Sequence, residues 1–122
     1  MRLVLLIALL LLTSAARGQS EMTAKDFIDQ YKQASEKNRE EMRAVLVAEL
    51  DGMFWMNAFL RNKYNKQIGW AYCNPHGDEP LGGEELFSII QRRIQEYPDQ
   101  ETGPFPLVML LGLLGAYPCK EN

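Results

Sequence analysis

The apolar positions of the chain fall into five blocks, four of which carry helical spacing. Leu3 to Leu12 is an unbroken apolar run behind the short positive start Met1-Arg2. Next, Phe27, Ile28, Tyr31 and Ala34 recur at helical intervals. Thr23, a favourable N-cap, precedes them, with Asp26 in the place where a capping box usually has Glu or Gln. Polar Ser35 to Asn38 reads as a turn or as a continuation of the helix. The longest block predicts a helix from about Arg39 to Leu60, with Met42, Val45, Leu46, Leu50, Met53 and Phe54 on one stripe and Glu40, Glu41, Arg43 and Glu49 off it. From Met53 to Leu60 the pattern becomes apolar on nearly every side, which predicts the middle of the fold or an interface. Gly52 costs such a helix about 1 kcal/mol against Ala, and a close helix crossing would explain it.

Basic, polar Arg61 to Gln67 ends that helix. Gly69, Pro75, Gly77, Pro80, Gly82 and Gly83 then keep Gly69 to Gly83 largely irregular, with Tyr72-Cys73 briefly extended. A third helix is expected from about Glu84 to Tyr97, burying Leu86, Phe87, Ile90, Ile94 and Tyr97 and stopped by Pro98. Asp99 to Gly103 is a polar turn. Pro104 and Pro106 lead a last helix, Leu107 to about Ala116, that is apolar all round. It is too short to span a bilayer and is expected as a central core helix or a dimer face. No period-two run of β-branched residues occurs, so the class is all-α, a compact four- to five-helix domain.

The N-terminal block changes the setting. A positive start, a short apolar run and the small-residue stretch Thr13 to Gly18 have the order of a secretory signal peptide. Cleavage after Gly18 fits Ala16-Arg17-Gly18, and a cut after Ala16 is the alternative. The apolar run rises only about 15 Å as a helix, roughly half the hydrocarbon core, which disfavours a membrane anchor. Residues 1–18 are therefore read as signal peptide and 19–122 as a single domain in the bacterial periplasm, with no stable membrane insertion after cleavage. Two cysteines in an exported domain, Cys73 and Cys119, read as a disulfide. Closing that loop stabilises the fold by roughly 4 kcal/mol on chain-entropy arithmetic. Loss of Arg2 and Arg17 takes the net charge from −3 to −5, which argues against nucleic acid and anionic membranes as partners.

Candidate chemistry is sparse. The single histidine, His76, lies in Pro75-His76-Gly77-Asp78-Glu79. It would pair with Asp78 or Glu79, or help hold a metal, but metal sites need three or four ligands, and a solvated loop histidine is the simpler reading. Asp51, beside the apolar stretch, is either a buried functional acid or, more simply, an edge residue. The serines have no base but His76. Gly82-Gly83 before a helix resembles an anion site, yet Glu84-Glu85 would repel a phosphate. The expectation is a non-enzyme that holds no metal and no cofactor. What remains is the aromatic set Phe54, Trp55, Phe59, Tyr64, Trp70 and Tyr72, either core or a binding face. Arg61 to Trp70 and Asn74 to Gly83 flank it, and Trp70, Tyr72, Asp78 and Glu79 are the candidate partner-binding residues.

From Tyr72 to Cys119 a family pattern stands out. Tyr72-Cys73-Asn74-Pro75 is followed by a Gly-rich loop, a helix ending in Glu96-Tyr97-Pro98-Asp99, and a terminal Tyr117-Pro118-Cys119. This resembles the Rap/Tai immunity protein family, and Val47 to Gly52 is similar to the family's upstream helix. The resemblance covers roughly Phe27 to Cys119. It implies a periplasmic protein that binds and neutralises a peptidoglycan amidase effector of type VI secretion by covering its cleft, often as a homodimer. A second cysteine pair common in the family's first two helices is absent, with Tyr31 and Met42 or Ala44 in the matching region. The alternative is a periplasmic acid-stress chaperone of the HdeA type, using the apolar Met53–Leu60 surface, or another helical binding protein.

Overall fold

In the computed structural model, residues 21–64 and 71–120 are described. The signal segment 1–18, both cleavage positions and Trp70 lie outside the described residues, as does the side chain of Tyr64. Four α-helices form an all-α domain: α1 (Ala24–Gln33), α2 (Glu36–Tyr64), α3 (Gly83–Glu96) and α4 (Phe105–Ala116). A 3-10 turn, Pro98–Thr102, links α3 to α4. Among the described residues no strand is present. One isolated β-bridge, Thr23 to Pro104, clamps the start of α1 to the start of α4. The Ala24 N–H donates to the Gly103 carbonyl at 2.8 Å, and the Phe105 N–H to the Met22 carbonyl at 3.1 Å.

The first helix begins where its cap requires. The Thr23 hydroxyl accepts from the Asp26 N–H at 3.1 Å, and Ala24, Phe27, Ile28 and Tyr31 are buried. Two ring stacks carry this helix onto the others: Phe27 on Phe105 of α4, centroids 4.7 Å apart, and Tyr31 on Phe87 of α3 at 4.0 Å. Stacked rings contribute roughly 0.5–1.5 kcal/mol beyond their burial. At the same junction Arg43 of α2 donates to Glu84, Glu36 and the Tyr31 hydroxyl, which itself donates to Glu84 at 2.6 Å.

The second helix is longer than the apolar pattern indicated. Ser35 caps it at once, accepting from the Asn38 N–H at 3.3 Å, so Glu36 to Asn38 are helical rather than a turn. At the other end Arg61 to Tyr64 prolong the helix instead of ending it. Arg and Lys are good helix formers, and their charge suits the C-terminal end of the helix dipole. Only part of the expected stripe is core. Leu46 and Leu50 are buried and Met42 and Met53 pack against the core, but Val45 and Phe54 are each 46 % exposed. Trp55, Met56 and Phe59 are exposed as well, so the all-apolar end of α2 lies on the surface and not mid-fold.

The core is the seam of α3 with α4, roofed by α1 and the first half of α2. Leu86, Phe87, Ile89 and Ile90 of α3 meet Phe105, Val108, Met109 and Leu113 of α4. Ile89 replaces Tyr97 in the expected buried set; Tyr97 is half-exposed, with Arg93 stacked on its ring. α4 is the central helix of this seam, though Leu107 and Leu114 reach solvent.

Among the described residues the close crossings do not involve Gly52. A Cβ built on Gly112 would lie 2.5 Å from Ile89 Cγ2 and 3.2 Å from the Ile89 carbonyl. One on Gly83 would lie 2.4 Å from Arg43 Cβ and 2.9 Å from the Arg43 Cα. Among the described residues, a Cβ on Gly52 meets nothing within 4 Å. Gly112→Ala should therefore force α3 and α4 apart and cost about 1–3 kcal/mol. Gly52→Ala should stabilise by up to about 1 kcal/mol through helix propensity. Urea unfolding of the two variants checks both signs; a destabilising Gly52→Ala would mean that α2 has a neighbour there.

Candidate functional site

The exposed end of α2 faces an arm, Ala71 to Leu81, which forms the other wall of a groove of about 960 Å³. Leu50, Leu81 and Leu110 make its floor, and Met53, Phe54, Met56 and Leu60 line the α2 side. Glu49, Asp51 and Asp78 stand on the rim. No Lys or Arg lines the groove among the described residues; Arg61 and Lys63 follow on the last turn of α2, Lys63 over the Phe59 ring.

The arm is built by its own polar atoms and held by the chain's C-terminal end. The Cys73–Cys119 disulfide joins it to the residues after α4, with Cα atoms 4.9 Å apart. Beside the bridge the Cys73 N–H donates to the Tyr117 carbonyl at 2.8 Å. The Asn74 side chain closes the tip, accepting from the His76 N–H at 3.0 Å and donating to the Glu79 carbonyl at 2.6 Å. Gly77 turns the chain there with φ 65°, a conformation that suits glycine. Leu81 is buried, and Tyr72 packs against the core from the groove wall.

Glu85, in the first turn of α3, ties arm and terminus together. His76 Nε2 lies 2.9 Å from one of its carboxylate oxygens, and the Tyr117 hydroxyl donates to the other. The histidine thus has Glu85 as its partner, not Asp78 or Glu79, and is more than a solvated loop residue. The pair is ionic when the imidazole is protonated. Among the described residues no group of three or more His, Cys, Asp and Glu side chains could hold a metal ion, and no helix is long and apolar enough to cross a membrane.

Of the candidate partner-binding residues, the structure brings Tyr72 and Asp78 together on the groove. Glu79 is exposed outside the lining and serves the arm through its backbone carbonyl. Asp51 is exposed on the rim, as an edge residue would be; its charge and burial of the ring hold the Tyr72 hydroxyl above its usual range, burial the more. The apolar stretch Met53 to Leu60, expected mid-fold or at an interface, supplies Met53, Phe54, Met56 and Leu60 to the groove, residues not named among the partner-binding candidates. Their signal was the all-sided apolar pattern itself, since a fully apolar helix end must be buried or bind something.

Comparison with known protein families, curated proteins and solved structures finds no match for this chain.

The Tyr117 hydroxyl does most to hold the Glu85 carboxyl below its ordinary value of 4.5; burial opposes it, and His76 lowers it further. A carboxyl depressed by folding stabilises the fold fully above its unfolded value and loses that effect as pH falls through the folded one. Thermal melts from neutral pH to pH ~3 should show falling stability on this acid limb, shallower in Glu85→Gln. Glu84, depressed by Tyr31 and Arg43, sustains part of the slope in that variant. An identical slope in both proteins would show that Glu85 does not anchor the arm.

Proposed function

We propose that this chain is an exported binding protein that neutralises a peptidoglycan amidase delivered into the periplasm by type VI secretion. The observation that carries the binding reading is the groove beside the disulfide, with the exposed rings Phe54, Trp55 and Phe59 on the helix that walls it. Apolar surface of this kind, rimmed by polar residues, marks interaction sites. Large aromatics there supply most of the energy when a partner covers them. The chain's one histidine pairs with Glu85 and ties the arm to α3. The nature of the partner rests on the Cys73-Asn74-Pro75 and Pro118-Cys119 pattern, similar to the Rap/Tai immunity proteins, together with the signal-like start.

The acid-stress chaperone is the second reading, and a specific observation favours it. The apolar end of α2 is already exposed, and the Glu85 anchor of the facing arm weakens as its carboxyl protonates. A deletion strain separates the two. The immunity reading predicts that it is killed by sister cells that secrete a wall amidase, and that the tagged protein captures that amidase from the periplasm. Loss of survival at low pH alone, with no amidase captured, would transfer the function to the chaperone class.

A further inference from the structure

Gly52 is a feature of α2 that the packing of the described residues does not use. It sits in regular helix within a 29-residue segment, without a positive φ, where Ala would be favoured by about 1 kcal/mol. No neighbour among the described residues requires it, because a Cβ there would meet none of their atoms within 4 Å. Gly112 and Gly83 show what glycine does elsewhere in this domain: each admits the close approach of another helix. Gly52 lines the groove and is exposed, and no element among the described residues makes the approach it would admit.

The surroundings specify the visitor. The floor and the α2 wall are apolar, while Asp51, Glu49 and Asp78 place three carboxylates on the rim, with no cation among the described lining residues. A second copy of this acidic chain would set one such rim against another. An anionic membrane surface meets the same repulsion. We infer that the groove receives a cationic amphipathic segment of a protein partner, its apolar face on Met53, Met56 and Leu60, its backbone crossing α2 at Gly52, and its Lys or Arg side chains at Asp51 and Asp78. This rests on the binding reading above and adds the chemistry of the bound segment.

The test uses the full mature protein and two synthetic helical peptides of about five turns with the same Leu face, one carrying Lys and the other Glu on the polar face. Calorimetry should show binding of the Lys peptide and none of the Glu peptide. Combined Asp51→Lys and Asp78→Lys should weaken binding by about tenfold or more at low salt, whereas two like reversals away from the groove, Glu40→Lys and Glu101→Lys, change it less than about twofold. Gly52→Leu adds a side chain that displaces nothing among the described residues, so the protein should melt at or slightly above the wild-type temperature through helix propensity and bind no peptide.

The inference is overturned if neither peptide binds, if both bind alike, or if the groove variants bind as the wild type does. It is also overturned if sedimentation shows self-association that Gly52→Leu abolishes, since the groove would then belong to a second copy. Its failure is separable from that of the immunity reading. Gly52→Leu protein that still protects cells defeats the groove alone, whereas Lys-peptide binding in a strain whose deletion is harmless defeats immunity alone.

Discussion

The Cys73–Cys119 cross-link is the constraint on which the rest of the surface depends. It joins residues 46 apart in sequence and fixes a largely irregular arm to the exit of the central helix. Irregular backbone of this length has few ways to hold a position: its peptide groups pair mostly with one another, and only Leu81 and Tyr72 carry it onto the core. Joining it covalently to the chain end removes conformational freedom from the unfolded ensemble, an effect of roughly 4 kcal/mol for a loop of this size. Glu85 then works from α3, receiving His76 from the arm and Tyr117 from the terminus, so that the covalent and polar ties converge.

The helices behind the arm are held by tight packing. Two glycines, Gly112 and Gly83, let α4 reach α3 and α3 reach α2 at distances no other residue would allow. At the centre of the core Leu46, Ile90, Met109 and Leu113 are fully buried. α2 spans about 43 Å, and its second half runs past that core. Its exposed end and the tethered arm therefore become the two walls of one groove. In a domain of this size, leaving Trp55 71 % exposed forgoes burial worth roughly 1.5–3 kcal/mol for a large apolar side chain, a sacrifice consistent with a surface kept for binding.

Much of this was legible from sequence, for identifiable reasons. The Thr23 cap, the Phe27–Tyr31 stripe and the arrest of α3 at Pro98 are local signals, and each stands in the structure where the spacing put it. The cysteine pairing needed only the count of two. Side-specific questions were harder. Helix-long apolar runs such as Met53 to Leu60 carry no period that says which face is covered, and the same ambiguity left α4 between core and dimer face. Glycine is mute in the same way: the sequence offers Gly52, Gly83 and Gly112 alike, and only the neighbouring atoms reveal which of them seats a helix. Ser35 and Arg61 to Tyr64 illustrate a different limit, since helix ends are set by caps and dipole as much as by apolar spacing. The link from His76 to Glu85 joins two elements and leaves no trace in the local pattern.

Amide hydrogen exchange on the Cys73→Ser/Cys119→Ser protein tests most directly whether the cross-link holds the arm as a groove wall. The arm amides at positions 73 and 79 should lose their protection, while the interior amides of α3 and α4 continue to exchange slowly. Protection of the arm equal to that of the wild type would contradict the dependence on the disulfide. Collapse of protection throughout α3 and α4 would contradict it from the other side, by showing that the cross-link holds the core rather than the arm.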